Sequence, residues 1–145
     1  MLSNACKYAI RAMIYLAAGT DNHVKVNIKE LATAVDSPLP FTAKIMQSLS
    51  KLGFVSSSKG PSGGFFLSAA QLETKLLDIV MAIDGPKELN GCGLGLANCN
   101  EQHPCPLHQD YKIIRDRFKN LLHENTIHSL AQSMKQGNSV LKNML

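Results

Sequence analysis

The segment from Asn27 to Leu67 constrains the fold most, because it orders two short amphipathic helices and a hairpin with few residues between them. In NIKELATAVDSP, Asn27 is placed to cap a helix, with Glu30 three residues on in a capping-box arrangement. Ile28, Leu31, Ala32 and Val35 fall on one face, and Asp36-Ser37-Pro38 ends the helix. A second helix follows within a few residues. Phe41, Ile45, Leu49 and Leu52 share its apolar face, Gly53 stops it, and Lys44, Gln47, Ser48 and Lys51 project elsewhere. Two helices so joined suit a helical hairpin in a core as well as a helix-turn-helix. The next stretch, FVSSSKGPSGGFFLS, reads as strand, glycine-rich turn and strand, with Phe54-Val55 and Phe65-Phe66-Leu67 as the strands. Helix, helix and hairpin in that order is the order of a winged helix. The second helix then suits a major groove, and a hairpin tip of small residues with Lys59 at its base suits the backbone or minor groove.

Charge supports a polyanionic partner. The net charge of +4 lies wholly in residues 1–67, which hold seven basic residues against three acidic ones, while the remainder is balanced at eight of each. The 145 residues are 45% hydrophobic, enough for one folded domain with a small appendage. No apolar run approaches the ~18 residues of a membrane span. The first residues, MLSNACKYAIRAM, do not resemble a secretory signal, so a cytoplasmic protein without membrane attachment is expected.

The expected fold class is mainly α with a small β-hairpin: a winged helix-turn-helix DNA-binding domain plus a long C-terminal dimerisation helix. Residues 3–18 read as a first helix capped by Ser3 and stopped by Gly19, and residues 21–25 as a polar loop. A helix is expected over about Lys75–Asp84, capped by Thr74 and ended by Gly85-Pro86. In DYKIIRDRFKNLLHEN, Ile114, Phe118, Leu121 and Leu122 line one side, and Ile113 broadens it beyond what a small domain needs to cover. A partner subunit would bury that face, so this is read as the dimer helix. A short helix over Thr126–Met134 and a frayed tail close the chain. The organisation expected is a DNA-binding domain over residues 1–85, a cysteine-rich loop over 86–108, and a dimerisation helix with tail over 109–145.

Three of the four cysteines lie in CGLGLANCNEQHPCPLH, residues 92–108. Six residues separate Cys92 from Cys99, five separate Cys99 from Cys105, and two separate Cys105 from His108. In a reducing compartment such clusters bind metals or carry redox chemistry more often than they form structural disulfides. Zinc and iron–sulfur clusters are the realistic occupants. The spacings match neither a zinc ribbon nor a ferredoxin run. The fourth ligand stays open: His108 is within reach, His103 is close, and Cys6 would have to come from another subunit. No acid–base constellation points to an enzyme.

Together these motifs resemble the IscR/NsrR/RirA-type bacterial transcription regulators, dimeric winged-helix proteins many of which hold an iron–sulfur cluster. The resemblance rests on YAIRAMIYLA, IKELATAV, FTAKIMQSLSKLGFV, SKGPSGGFFLS, LLDIVMAIDG and the cysteine loop, and spans nearly the whole chain. It implies that Cys92, Cys99 and Cys105 are cluster ligands and that His108 completes a 2Fe–2S site, favoured over 4Fe–4S and open to loss in air. The branch that uses an acidic ligand from the first helix is disfavoured, because the matching position holds Lys7. It further implies DNA contacts at Ser37, Pro40, Phe41, Thr42 and Lys44 on the recognition helix, and at Lys59, Ser62 and Gly63 on the wing. Lys59 stands where relatives often carry Arg, a better planar fork. The implied function is a homodimeric repressor on a near-palindromic double-stranded operator, controlled by a cluster that senses iron–sulfur status, redox state or nitric oxide. The alternatives are the same regulator with a zinc or thiol-redox site, and a small metal-binding redox protein.

Overall fold

A computed structural model describes residues 1–19 and 24–141. Most of the polar loop expected at 21–25, and the end of the tail, lie outside the described residues. The elements are α1 (Asn4–Ala18), α2 (Ile28–Ala34), α3 (Leu39–Lys51), β1 (Ser56–Ser58), β2 (Gly64–Phe66), α4 (Ala69–Leu72), α5 (Leu76–Ile83), α6 (Lys87–Asn90), α7 (His108–Glu124) and α8 (Ile127–Lys135). Helical predominance with one antiparallel hairpin is the architecture the sequence implies. Among the described residues no helix is long and apolar enough to cross a membrane.

α1 is the hub. Ser3 caps it, its Oγ accepting from the Cys6 amide, and Ala9, Met13, Leu16 and Ala17 bury its length against α2, α3, α5 and α8. Small residues on this helix let several partners approach it. At its N-terminus the Ser3 amide donates to Asp84 Oδ2 at 2.9 Å, joining it to the end of α5.

Only half of the capping box expected at α2 forms. Asn27 Oδ1 accepts from the Glu30 amide at 2.9 Å, but the Glu30 carboxylate accepts from the Tyr15 hydroxyl at 3.0 Å instead of turning back. Asp36 adopts a positive φ of 54°, and the Ser37 amide closes onto the Ala32 carbonyl at 3.0 Å. That short reversal sets α3 against α2. On α3 the buried face is Thr42, Ile45, Met46 and Leu49. Leu52, expected inside, is 51% exposed, because Gly53 (φ 83°) turns the chain and the Phe54 amide reaches back to the Leu49 carbonyl at 2.9 Å.

The wing forms, with both strands closer to the turn than expected. Val55 enters the core, and strand pairing falls on the serines: Ser56, Ser57 and Ser58 face Phe66, Phe65 and Gly64. Val26 adds a short third edge, exchanging hydrogen bonds of 2.9 and 2.8 Å with Phe65. Gly64 permits that approach, since a Cβ there would lie 2.6 Å from the Val26 carbonyl oxygen.

Two links join elements far apart along the chain. Gln71, in a capping box with Ser68, accepts from the Ser56 hydroxyl at 3.0 Å and donates to the Gly53 carbonyl at 3.0 Å, so one side chain joins α4, the wing root and the end of α3. The second link is an antiparallel bridge: Leu76 donates to the Asn125 carbonyl and Ile127 to the Thr74 carbonyl, both at 3.0 Å. It holds the α7–α8 joint to the start of α5. Thr74, expected to cap α5, instead donates its hydroxyl to the Gln71 carbonyl at 2.7 Å, and Lys75 takes the cap position. α8 packs on α1, with Ile127 and Ala131 inside the main core. After α7 the chain thus returns to α1 through α8.

Candidate metal centre and nucleic-acid interface

α6 ends where the Gly91 amide donates to the Lys87 carbonyl at 2.8 Å, and the loop then runs to the first turn of α7. Three contacts hold the loop base. Arg115 on α7 donates to the carbonyls of Gly91 and Asn90 at 3.0 and 3.2 Å, and Lys119 donates to the Asn90 side chain. Gly93 lies flat on the Tyr111 ring, where a Cβ would come within 2.8 Å of the ring carbon.

This base brings the three thiols together. The Sγ atoms of Cys92, Cys99 and Cys105 all lie within 4.8 Å of one another, with Cys92 and Cys105 at 3.5 Å. Backbone amides point at sulfur, among them Leu94 toward Cys92 and Cys105 toward Cys99, each at 3.4 Å. Because α7 begins at His108, two residues before the expected start, that imidazole sits in the site. Its Nδ1 is 3.1 Å from Cys99 Sγ, and the His108 amide donates to the Cys105 carbonyl at 3.0 Å. A cavity of about 560 Å³ opens beside Cys92, Cys99 and Tyr111.

The thiols are not equivalent. Backbone N–H groups of Leu96 and Leu94 bring Cys92 down to about 7, whereas desolvation and the neighbouring Cys92 push Cys105 up. Three close sulfurs, amides turned toward them and an imidazole alongside form a donor set suited to a soft metal or an iron–sulfur core.

The other proposed fourth ligands are elsewhere. His103 exchanges backbone hydrogen bonds with Asn100 in an exposed turn. Cys6 is fully buried in the α1 core, and its thiol is pushed up to about 12 by burial, with Asp84 adding to the shift. A core thiol cannot reach a second subunit, so Cys6 is removed from the candidates. Metal-free, reduced protein given limiting iodoacetamide at pH 7 is accordingly expected to be alkylated first at Cys92 and not at Cys6. Peptide mass spectrometry reads the order.

On the DNA side, α3 presents Lys44, Gln47, Ser48 and Lys51 to solvent, with Pro40 exposed at its start. Phe41 is half-buried, edge-on to Tyr8 at 5.5 Å between centroids. Ser37 is half-buried, and its Oγ has no hydrogen-bond partner. Thr42 corrects the expectation. It is 2% exposed and its hydroxyl donates to the Pro38 carbonyl at 2.9 Å, so it shapes the first turn of α3 and has no surface to offer DNA. Lys59 and Ser62 are exposed at the wing tip. Gly63 is half-buried there and irreplaceable by a larger residue without movement, since a Cβ would meet the Ser58 carbonyl oxygen at 2.2 Å. Lys25 was not anticipated. It lies on the wing, donating to the Ser58 hydroxyl at 3.2 Å, 6.0 Å from the Phe66 ring centroid. Its sequence signal is only a positive charge at the end of a polar loop, about thirty residues before the hairpin.

Comparison with known proteins agrees with this geometry. Residues 2–133 match the Rrf2 family, described as an iron-dependent transcriptional regulator. A sequence from Aquifex aeolicus (strain VF5), assigned as an HTH-type transcriptional regulator, is 33% identical over 132 residues, covering 90% of each chain. The HTH-type transcriptional regulator NsrR of Geobacillus kaustophilus (strain HTA426) is 28% identical over 142 residues, covering 97% of this chain and 96% of its own. The solved structure of CymR, the global cysteine regulator of B. subtilis, shares the fold with a TM-score of 0.73 at 22% identity, covering 91% of this chain and 96% of that one. These relatives are regulators and not enzymes. With a winged helix in place and the match running through the cysteine loop, the chain belongs to the Rrf2 family of DNA-binding transcriptional regulators.

Proposed function

We propose that the protein is a homodimeric, cytoplasmic repressor whose operator affinity is set by a 2Fe–2S cluster on Cys92, Cys99, Cys105 and His108. The observation that carries this reading is the convergence of three sulfurs within 4.8 Å, with His108 Nδ1 at 3.1 Å from one of them. When bound, the cluster would supply a centre sensitive to oxidation, nitric oxide and iron supply. The chain's own residues supply the response. His108 and Arg115 anchor the loop to α7, and the bridge at 125–127 carries α7 to Thr74 and Leu76. Gln71 then reaches both the wing and the end of α3. A two-state shift along this path needs a coupling of only about 1–3 kcal/mol to change operator affinity roughly 5–150-fold.

On a near-palindromic operator, two α3 helices would enter major grooves about 34 Å apart. Ser37, Pro40, Phe41 and Lys44 would approach from the helix, and Lys59, Ser62 and Gly63 from the wing. Lys59→Ala is expected to weaken binding on all sequences and to reduce the log–log salt slope by about one per protomer. Fluorescence anisotropy over a salt series measures this, and an unchanged slope places the wing off the DNA.

A second reading has one observation in its favour. A tetrahedral thiolate site with metal–sulfur bonds of about 2.3 Å holds its sulfurs roughly 3.8 Å apart, and Cys92 and Cys105 stand at 3.5 Å. That spacing suits one tetrahedral metal ion, a lone zinc as well as one iron of a cluster. Oxygen-free protein reconstituted with iron and sulfide separates the two. Visible charge-transfer absorption, with iron and sulfide in near-equal amounts and an operator affinity that differs from metal-free protein, supports the cluster. Colourless protein that retains zinc replaces it.

A further inference from the structure

Glu101 stands at the back of the metal centre, and the proposed function gives it no task. The turn at 100–103 is fixed by Asn100, whose Oδ1 accepts from the amides of Gln102 and His103 at 2.9 Å each. This turn carries Glu101 over the far edge of the His108 ring, with Oε1 3.5 Å from Nε2. Lys112, one turn along α7 from His108, grips the same carboxylate. The His108 side chain is only 9% exposed, and its Nε2 is buried with no hydrogen bond made. The ring is thus held between two unlike neighbours: sulfur at Nδ1 and a carboxylate just beyond hydrogen-bond range at Nε2.

A neutral imidazole has one N–H and one lone pair, and the partner of one nitrogen decides the state of the other. Carboxylates behind ligating histidines set both tautomer and ring orientation in this way. Resting on the site reading above, we propose that Glu101, held by Lys112, is a positioning residue that accepts from His108 Nε2–H and so commits the Nδ1 lone pair to the metal. On tightening from 3.5 Å to hydrogen-bond length, it would satisfy the buried Nε2 of His108, which lacks a partner.

Cobalt(II) titrated into reduced, metal-free, full-length protein without oxygen tests this. Wild-type protein is expected to show thiolate charge-transfer bands with d–d bands of a four-coordinate site. His108→Ala is expected to alter the d–d pattern. Glu101→Ala is expected to bind cobalt about 10–100-fold more weakly and to move its d–d pattern toward that of His108→Ala. Glu101→Gln, whose amide oxygen still accepts, is expected to keep the wild-type pattern with a smaller loss. Long-range proton–nitrogen spectra of the metal-free protein are expected to show His108 as the Nε2–H tautomer, and a mixture in Glu101→Ala. Circular dichroism confirms that each variant is folded. Glu101→Ala with wild-type affinity and bands overturns the inference. Wild-type and His108→Ala proteins with identical bands overturn it as well, while leaving a three-thiolate site intact. Wild-type protein that binds no cobalt removes the site reading and this inference together.

Discussion

Cys99→Ala is expected to abolish metal retention while leaving the fold and the dimer in place. Cys99 is the centre of the site: its sulfur accepts the Cys105 amide at 3.4 Å, faces His108 Nδ1 at 3.1 Å and lies within 4.8 Å of both other thiols. Losing a direct ligand exceeds the roughly 10–100-fold cost of losing a supporting one. The fold has other supports. Cys99 is half-buried on a loop outside the main core, which is built on side chains such as Met13, Leu16, Leu31, Met46, Leu49 and Ile79. Far-UV circular dichroism and size-exclusion profiles should therefore match wild type, metal analysis should read zero, and operator affinity should equal that of metal-free protein. A variant that fails to fold would instead mark the loop as a structural metal site, because binding free energy would then be folding free energy.

That separation between loop and core also governs what was legible in the sequence. Elements whose apolar residues repeat along the chain are readable: α3 and α7 each carry an apolar stripe over three or more turns. Elements stabilised by partners far along the chain are not. The edge strand at Val26 exists because Phe65 pairs with it; α8 is readable as a helix over Thr126–Met134, but its seat on α1 through Ile127 and Ala131 is not. α4 and α6, at four residues each, are too short to show a period. The wing was placed early because Phe54 and Val55 have strand-like side chains. Those side chains serve the core, and the ladder falls on three serines with no apolar pattern. At the candidate metal centre the cysteine spacing announced the three thiols that come together, but it could not announce Glu101. That residue matters only because α7 starts at His108 and puts Lys112 one turn on.

Ile114→Glu is expected to convert the proposed dimer to a folded monomer and to cost operator binding with it. α7 carries Ile113, Ile114 and Leu121 at 56%, 59% and 52% exposure, while its other side buries Leu122 in the core. A helix already packed on its own domain has no internal use for a second apolar face, and an isologous partner would cover it. In a two-fold interface each substitution acts twice. Two isoleucines withdrawn from burial forfeit about 3–6 kcal/mol, at roughly 1.5–3 kcal/mol each. Two carboxylates facing one another across the seam add desolvation and repulsion. A loss of about 4 kcal/mol already weakens dimerisation roughly a thousandfold. The monomer should keep its helix content and thermal transition, because Ile114 contributes little to the protomer core. It should lose most of its operator affinity, since one recognition helix is left where the palindrome needs two. Analytical ultracentrifugation and anisotropy titration measure both. A variant that sediments as a wild-type dimer removes α7 from the subunit interface.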